Sequence, residues 1–307
     1  MDKSWDGICK LGIVQFMIYP SVMKGEGPVV ETITKIAVDD FFSAMEITHV
    51  ADDEARKEVA NIIATSHMAV GYGAQPVLLS RGLNLNHLDE TERMKAVNTI
   101  IGCVDEAVEM GLNKVAFLAG KVPAGADKDK AFDALVDSIT RICEYAKGKD
   151  VSIILETFDY DIDKCALIGP APLAAKLAET VKATHDNFGL MYDLSHVPIL
   201  HEDALEALTI LAPHLVHIHV GNAQYKTAGE SAGDQHPRFG LPGSENDVDE
   251  LVNFLEALFK IGYLKENPTG ELPGVAFEVK PLSNESSEII IANTKRVWKE
   301  AWARVRV

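Results

Sequence analysis

Short apolar segments rich in β-branched residues alternate along this chain with longer amphipathic ones. Eight of the short segments, 11–18, 44–49, 77–80, 114–118, 151–156, 188–193, 215–220 and 275–279, are strand candidates. Most are continuously apolar rather than alternating, the pattern of parallel strands covered on both faces. Between them, Val97, Ile100, Ile101, Val104 and Val108 recur at three-and-four spacing, which puts one apolar stripe on a helix. Phe132, Leu135, Ile139 and Ile142 do the same, as do Val248, Leu251, Val252, Leu255, Leu258 and Phe259. Asn246 or Asp247 is placed to cap the last of these helices, and Gly111 and Gly262 sit where helices should stop. Eight strand–helix units in 307 residues predict an α/β protein folded as one (β/α)8 barrel, a single domain over 1–307. An open doubly wound sheet would show a glycine-rich phosphate loop after an early strand. Here that position reads Tyr19-Pro20-Ser21-Val22-Met23-Lys24-Gly25, which is no such loop. The longest irregular stretch, 221–245, is expected to be functional because compact domains rarely carry long loops otherwise.

Charge and cysteine usage narrow the setting. The formal net charge is −17, a field that repels a phosphate backbone and argues against a nucleic-acid partner. Cys9, Cys103, Cys143 and Cys165 are far apart and form no Cys-x-x-Cys pair, so reduced thiols and a cytoplasmic location are expected. The first residues lack the basic flank and apolar stretch of a signal peptide, and no apolar run approaches the roughly 20 residues that span a bilayer. No membrane association is expected.

Barrel enzymes carry their chemistry at the carboxyl ends of the strands. The fifth strand candidate ends in Glu156 and the sixth in Asp193, with His196 three residues on. The seventh delivers His219 and the eighth Glu278. A lone glutamate at such a place is usually a solvated loop residue, and a lone histidine usually a satisfied packing residue. Four consecutive strands ending in metal-competent side chains are much harder to obtain by accident, because neighbouring strands lie about 5 Å apart. Three carboxylates and an imidazole make an oxygen-rich set suited to one divalent cation: Mn2+, Mg2+ or Co2+, with Zn2+ also feasible.

The segments Leu155-Glu156-Thr157, Asp193-Leu194-Ser195-His196, His217-Ile218-His219-Val220-Gly221 and Phe277-Glu278-Val279 resemble the xylose-isomerase-like sugar isomerase/epimerase superfamily, which includes endonuclease IV. The likeness in these pieces covers the second half of the barrel. It implies Glu156, Asp193, His219 and Glu278 as metal ligands, with Mn2+ the first choice. Within the superfamily the chain looks most like the ketose 3-epimerases. That likeness implies proton removal and return beside a carbonyl by Glu156 and Glu278, a metal-stabilised enediolate, and His196 gripping a substrate oxygen. His217 shares the direction of His219 one layer deeper and reads as packing or support.

The pattern departs from those epimerases after the seventh strand. The arginine expected there is missing from Gly221-Asn222-Ala223-Gln224-Tyr225-Lys226; Lys226 or Arg238 is the available substitute. Asp234-Gln235-His236 resembles the Asp-x-His of endonuclease IV and opens the idea of a second metal on His196, Asp234 and His236. The endonuclease also needs histidines after early strands, where this chain has Ser80-Arg81-Gly82 and Ala119-Gly120-Lys121. Asp234, His236 and Arg238 are therefore expected to contact substrate. Gln15, Glu46, His49 and Lys121 are further candidates for the same mouth, and Phe158-Asp159-Tyr160-Asp161 for its wall.

The expected activity is thus metal-dependent isomerisation or epimerisation of a sugar or keto-sugar, in a homo-oligomer as in the family. The alternative is a lyase acting on 3-oxo-glycosides, as the catalytic subunits of C-glycoside deglycosidases do, which would need a small partner subunit. A non-catalytic sugar-binding barrel is the third reading, and the intact ligand set argues against it.

Overall fold

The computed structural model describes residues 1, 3–122, 125, 127–267 and 270–307. Eight parallel strands form one sheet: β1 (Lys10–Ile13), β2 (Ala44–Ile47), β3 (Ala69–Gly73), β4 (Lys114–Leu118), β5 (Ser152–Glu156), β6 (Phe188–Asp193), β7 (Leu215–Gly221) and β8 (Gly274–Glu278). The order β1-β8-β7-β6-β5-β4-β3-β2 wraps round until β1 and β2 face one another, where a parallel Val14–Glu46 bridge closes the seam. Helices cover the outside, which is why most strands are apolar on both faces. The chain is a (β/α)8 barrel.

Two strand assignments change. The 77–80 run lies in the helix Gln75–Arg81, with Pro76 in its first turn, and the third strand is Ala69–Gly73. Proline is favoured at that helical position because its fixed φ suits the helix and its missing N–H has no partner to lose. The first strand candidate, 11–18, divides into β1 and a short helix Gln15–Ile18. Asp247 caps the helix Val248–Lys260 through a capping box in which the Glu250 carboxylate accepts the Asp247 N–H at 2.9 Å. Gly111 and Gly262 follow their helices with φ of +76° and +77°, a left-handed stop that a side chain would strain.

The final helix, Ser287–Arg304, packs Trp298 and Trp302 against the outside of the barrel. Trp298 meets Phe277 of β8 edge-on at 5.5 Å between ring centroids. Inside the barrel Ala116, Ile154 and Met191 form a small apolar cluster. All four cysteines are free, and three of them are buried. Among the described residues, no helix is long and apolar enough to cross a membrane.

Candidate metal centre

The carboxyl ends of β5 to β8 converge because the strands are parallel and in register, with Asp193 opposite His219 and Gly221 opposite Glu278. Glu156, Asp193, His219 and Glu278 each offer one atom to a group in which all four atoms lie within 4.8 Å of one another, and all four residues are buried. His219 turns Nδ1 toward this group, 2.7 Å from Glu278 Oε2 and 3.4 Å from Glu156 Oε1. Its Nε2 points the other way, 2.9 Å from Glu46 Oε1, which also takes His217 Nε2 at 2.7 Å. Glu46 on β2 is therefore a buried carboxylate beneath the histidine, and His217 supports it from one layer deeper. Asp193 accepts the Ser195 N–H at 2.7 Å and its hydroxyl at 2.5 Å. Gln75 donates to Glu156 Oε2 at 2.8 Å, while Glu156 Oε1 is buried with no hydrogen-bond partner.

The electrostatics follow from this crowding. Burial disfavours a charge on His219, but Glu46, Glu278 and Glu156 outweigh it and raise its pKa well above that of an ordinary imidazole. Burial raises the Asp193 pKa. Several carboxylates out of water with one orphaned oxygen among them are costly unless a cation joins them. The donor set and the unpartnered Oε1 fit a divalent ion.

A second group adjoins the first. His196 donates from Nδ1 to the Thr157 carbonyl oxygen at 2.7 Å, and its Nε2 faces Asp234 Oδ1 at 3.0 Å. His236 places Nε2 2.7 Å from the same Asp234 oxygen and Nδ1 3.1 Å from the Ser195 hydroxyl. Asp193, His196 and His236 likewise offer atoms within 4.8 Å of one another. The other Asp234 oxygen is taken by Lys164 Nζ at 3.0 Å. Against the cost of burial, Asp234 and its neighbours push His196 up to about 10; the same competition, with Glu278 the largest raising influence, pushes His236 up to about 9. His236 adopts φ of +50°, an unusual backbone state for histidine, and its carbonyl accepts the Lys280 N–H at 2.7 Å.

Above the centre opens a cavity of about 360 Å³ with Gln75, His219, His236 and Glu278 among its polar walls and Phe16 and Phe158 among its apolar ones. That size falls within the roughly 300–1,000 Å³ of small-molecule sites. A larger cleft of about 560 Å³ lies at the opposite end of the barrel, away from this donor set.

The remaining candidates separate. Asp234 and His236 line the cavity, and His196 stands behind Phe158 with ring centroids 4.6 Å apart. Arg238 is not among the lining residues; its Nε donates to Glu285 at 2.8 Å. Lys226 is exposed and paired with Glu245. Gln15 bonds Thr32, His49 bonds Glu106, and Lys121 is exposed. Asp159 is buried and accepts N–H groups from Ile162, Asp163, Lys164 and Cys165, so it shapes its own loop. The sequence reading did not include Gln75, Lys164 or Lys280, which also line the cavity. A carboxylate on the far nitrogen of a ligating histidine orients the ring and sharpens its basicity. Glu46→Ala is accordingly expected to weaken Mn2+ binding about 10–100-fold in calorimetric titration; unchanged affinity would reduce Glu46 to packing.

The family described as a xylose isomerase-like TIM barrel matches residues 37–266. No curated protein sequence matches the chain. Among solved structures, a D-tagatose 3-epimerase-like protein superposes with a TM-score of 0.70 at 19% identity, covering 96% of this chain and 98% of that one. The IolI protein with a bound zinc atom gives 0.72 at 16% identity, covering 97% and 99%. The 3-keto-D-glucoside 4-epimerase YcjR from E. coli gives 0.67 at 15% identity, covering 95% and 99%. Identities this low show a common fold.

Proposed function

Because the chain belongs to the xylose isomerase-like TIM barrel family, we propose that it is a divalent-metal-dependent isomerase or epimerase that moves a proton beside the carbonyl of a sugar or keto-sugar. The observation that carries this reading is a pair of buried glutamates, Glu156 and Glu278, whose oxygens approach the same His219 nitrogen at 3.4 and 2.7 Å, with His219 and Glu278 lining the cavity. Structural neighbours include one named a D-tagatose 3-epimerase-like protein and one named a 3-keto-D-glucoside 4-epimerase.

Glu156, Asp193, His219 and Glu278 would hold the ion, with Mn2+ the first candidate for so oxygen-rich a set. Bound there, it would supply a Lewis acid to the carbonyl oxygen. Gln75 holds Glu156 at Oε2 and so positions this carboxylate to take a proton while Oε1 serves the ion. Glu278 is the partner that returns one, so the two act as a general base and acid pair. Asp234 and His236 contact the substrate's oxygens from the cavity wall, and His196 holds Asp234 in place. Phe16 and Phe158 keep water from the reacting carbon. Arg238, tied to Glu285, anchors the loop that carries His236.

A second reading, elimination from a 3-oxo-glycoside, is favoured by one contact. His236 Nε2 lies 3.8 Å from Glu278 Oε1, where an imidazolium could protonate a leaving group one carbon beyond the abstracted proton.

The test pairs elemental analysis with exchange in D2O, on the wild type and an Asp193→Ala, His219→Ala variant after manganese reconstitution. We expect about one metal ion per wild-type chain, deuterium entering a ketose beside its carbonyl, and both lost in the variant. Equal metal in both proteins would sink the ligand set. Release of aglycone from a 3-oxo-glycoside, without exchange in ketoses, would select the lyase.

A further inference from the structure

The cavity above Glu278 gathers three lysines in an acidic protein. The whole chain carries a formal charge of −17, yet Lys24, Lys164 and Lys280 line this one cavity. Lys164 is matched, with Nζ 3.0 Å from both Asp163 and Asp234. Lys280 is half-buried, and its ammonium donates to the neutral side-chain oxygen of Gln235 at 2.8 Å. Among the described residues, no carboxylate lies within ion-pair distance of Lys280 or of Lys24, which stands exposed at the rim. The carboxylates lining the cavity are engaged: Asp234 by His196, His236 and Lys164, Glu278 by His219.

An ammonium drawn partly out of water with no carboxylate in direct contact is unfavourable. A wholly neutral sugar would leave this ammonium unmatched, and the overall negative field would give an anionic one no reason to enter without local cations. The acidic floor repels an anion, so any anionic group must lie at the lysine side.

We infer that the substrate carries an anionic group, a phosphate or a carboxylate, away from its reacting carbonyl, and that Lys280, with Lys24 at the rim, receives it. This rests on the sugar isomerase or epimerase reading, but the anion site is measurable without turnover. Lys280 follows Glu278 by two residues, so one strand end places both a group for the reacting carbon and a charge for the substrate's far end.

Binding of D-fructose, D-fructose 6-phosphate and D-fructuronate to the manganese-reconstituted protein is measured by calorimetry, beside deuterium exchange into each. We expect at least one of the two anions to bind about tenfold or more tighter than D-fructose, as a charge-assisted contact supplies. The phosphate and carboxylate arms report which anion is meant. In Lys280→Met that preference should fall toward unity, and in Lys280→Arg it should persist. Equal binding of neutral and anionic ketoses overturns the inference, as does loss of the preference in Lys280→Arg together with Lys280→Met, which would assign it to packing. If the anions bind selectively through Lys280 but no ketose exchanges a proton, the anion site stands and the isomerase reading falls. If D-fructose exchanges and binds as well as the anions, the reverse holds.

Discussion

Glu156→Gln is expected to slow proton exchange by about 10²–10⁴-fold at saturating metal, the contribution of a positioned general base. The substitution keeps the size of the side chain and removes the charge and the basic oxygen. Glu156 is buried, and its Oε1 has no hydrogen-bond partner while Gln75 holds Oε2. The carboxylate so held is the group the proposed chemistry needs. The measurement is the rate of deuterium entry beside the carbonyl at several Mn2+ concentrations, because a weaker site would otherwise pass for a slower step. A loss below about tenfold with metal saturated is smaller than general base catalysis supplies and would remove Glu156 from proton transfer. Gln75→Leu offers an internal check, since it frees Oε2 while leaving the base in place.

Trp298→Ala should destabilise the fold by about 3–5 kcal/mol, the range for truncating a large buried aromatic residue. Trp298 is fully buried in the final helix. It stacks on Trp302 with centroids 5.5 Å apart, and Trp5 meets it edge-on at 6.2 Å. Rings on several sides leave little freedom to collapse into the space, which places the cost toward the upper end. The indole N–H has no hydrogen-bond partner, so the loss is one of packing rather than of a polar contact. Urea denaturation reads the change directly. The effect should also reach the site, because Phe277 packs on Trp298 and immediately precedes Glu278. A decrease under about 1 kcal/mol would be typical of a surface change and would mean that the neighbouring rings close the gap.

The barrel was legible in the sequence because its signals are local. A strand covered on both faces must be apolar throughout, and each helix must carry one apolar stripe, so 114–118, 151–156 and 188–193 announce themselves without knowledge of their partners. The third strand did not. Ala69–Gly73 contains two glycines and begins exposed, while Val77-Leu78-Leu79 a few residues on forms a stronger apolar run inside a helix. Short apolar runs do not distinguish strand from buried helix; the proline in that helix's first turn was the available cue.

The residues that meet at the centre follow a similar division. Glu156, Asp193 and Glu278 each end a strand and His219 lies two residues before the end of its own, so chain order and barrel geometry together bring them to one rim. Their contacts could not be read in the same way. Glu46 reaches His219 across 173 positions, and Gln75 reaches Glu156 across 81. No periodicity relates residues so far apart, and which histidine nitrogen faces the carboxylates depends on the ring's packing. In the irregular stretch after β7, Arg238 turns to Glu285 while His236 turns inward, and after β8 Lys280 faces the cavity. By itself the sequence determined the alternation of elements and the chemical types at the strand ends, because both are dictated by burial repeated locally. Only the tertiary structure decided which charges are matched and which face the cavity, because pairing energies depend on distances between segments that the chain does not place side by side.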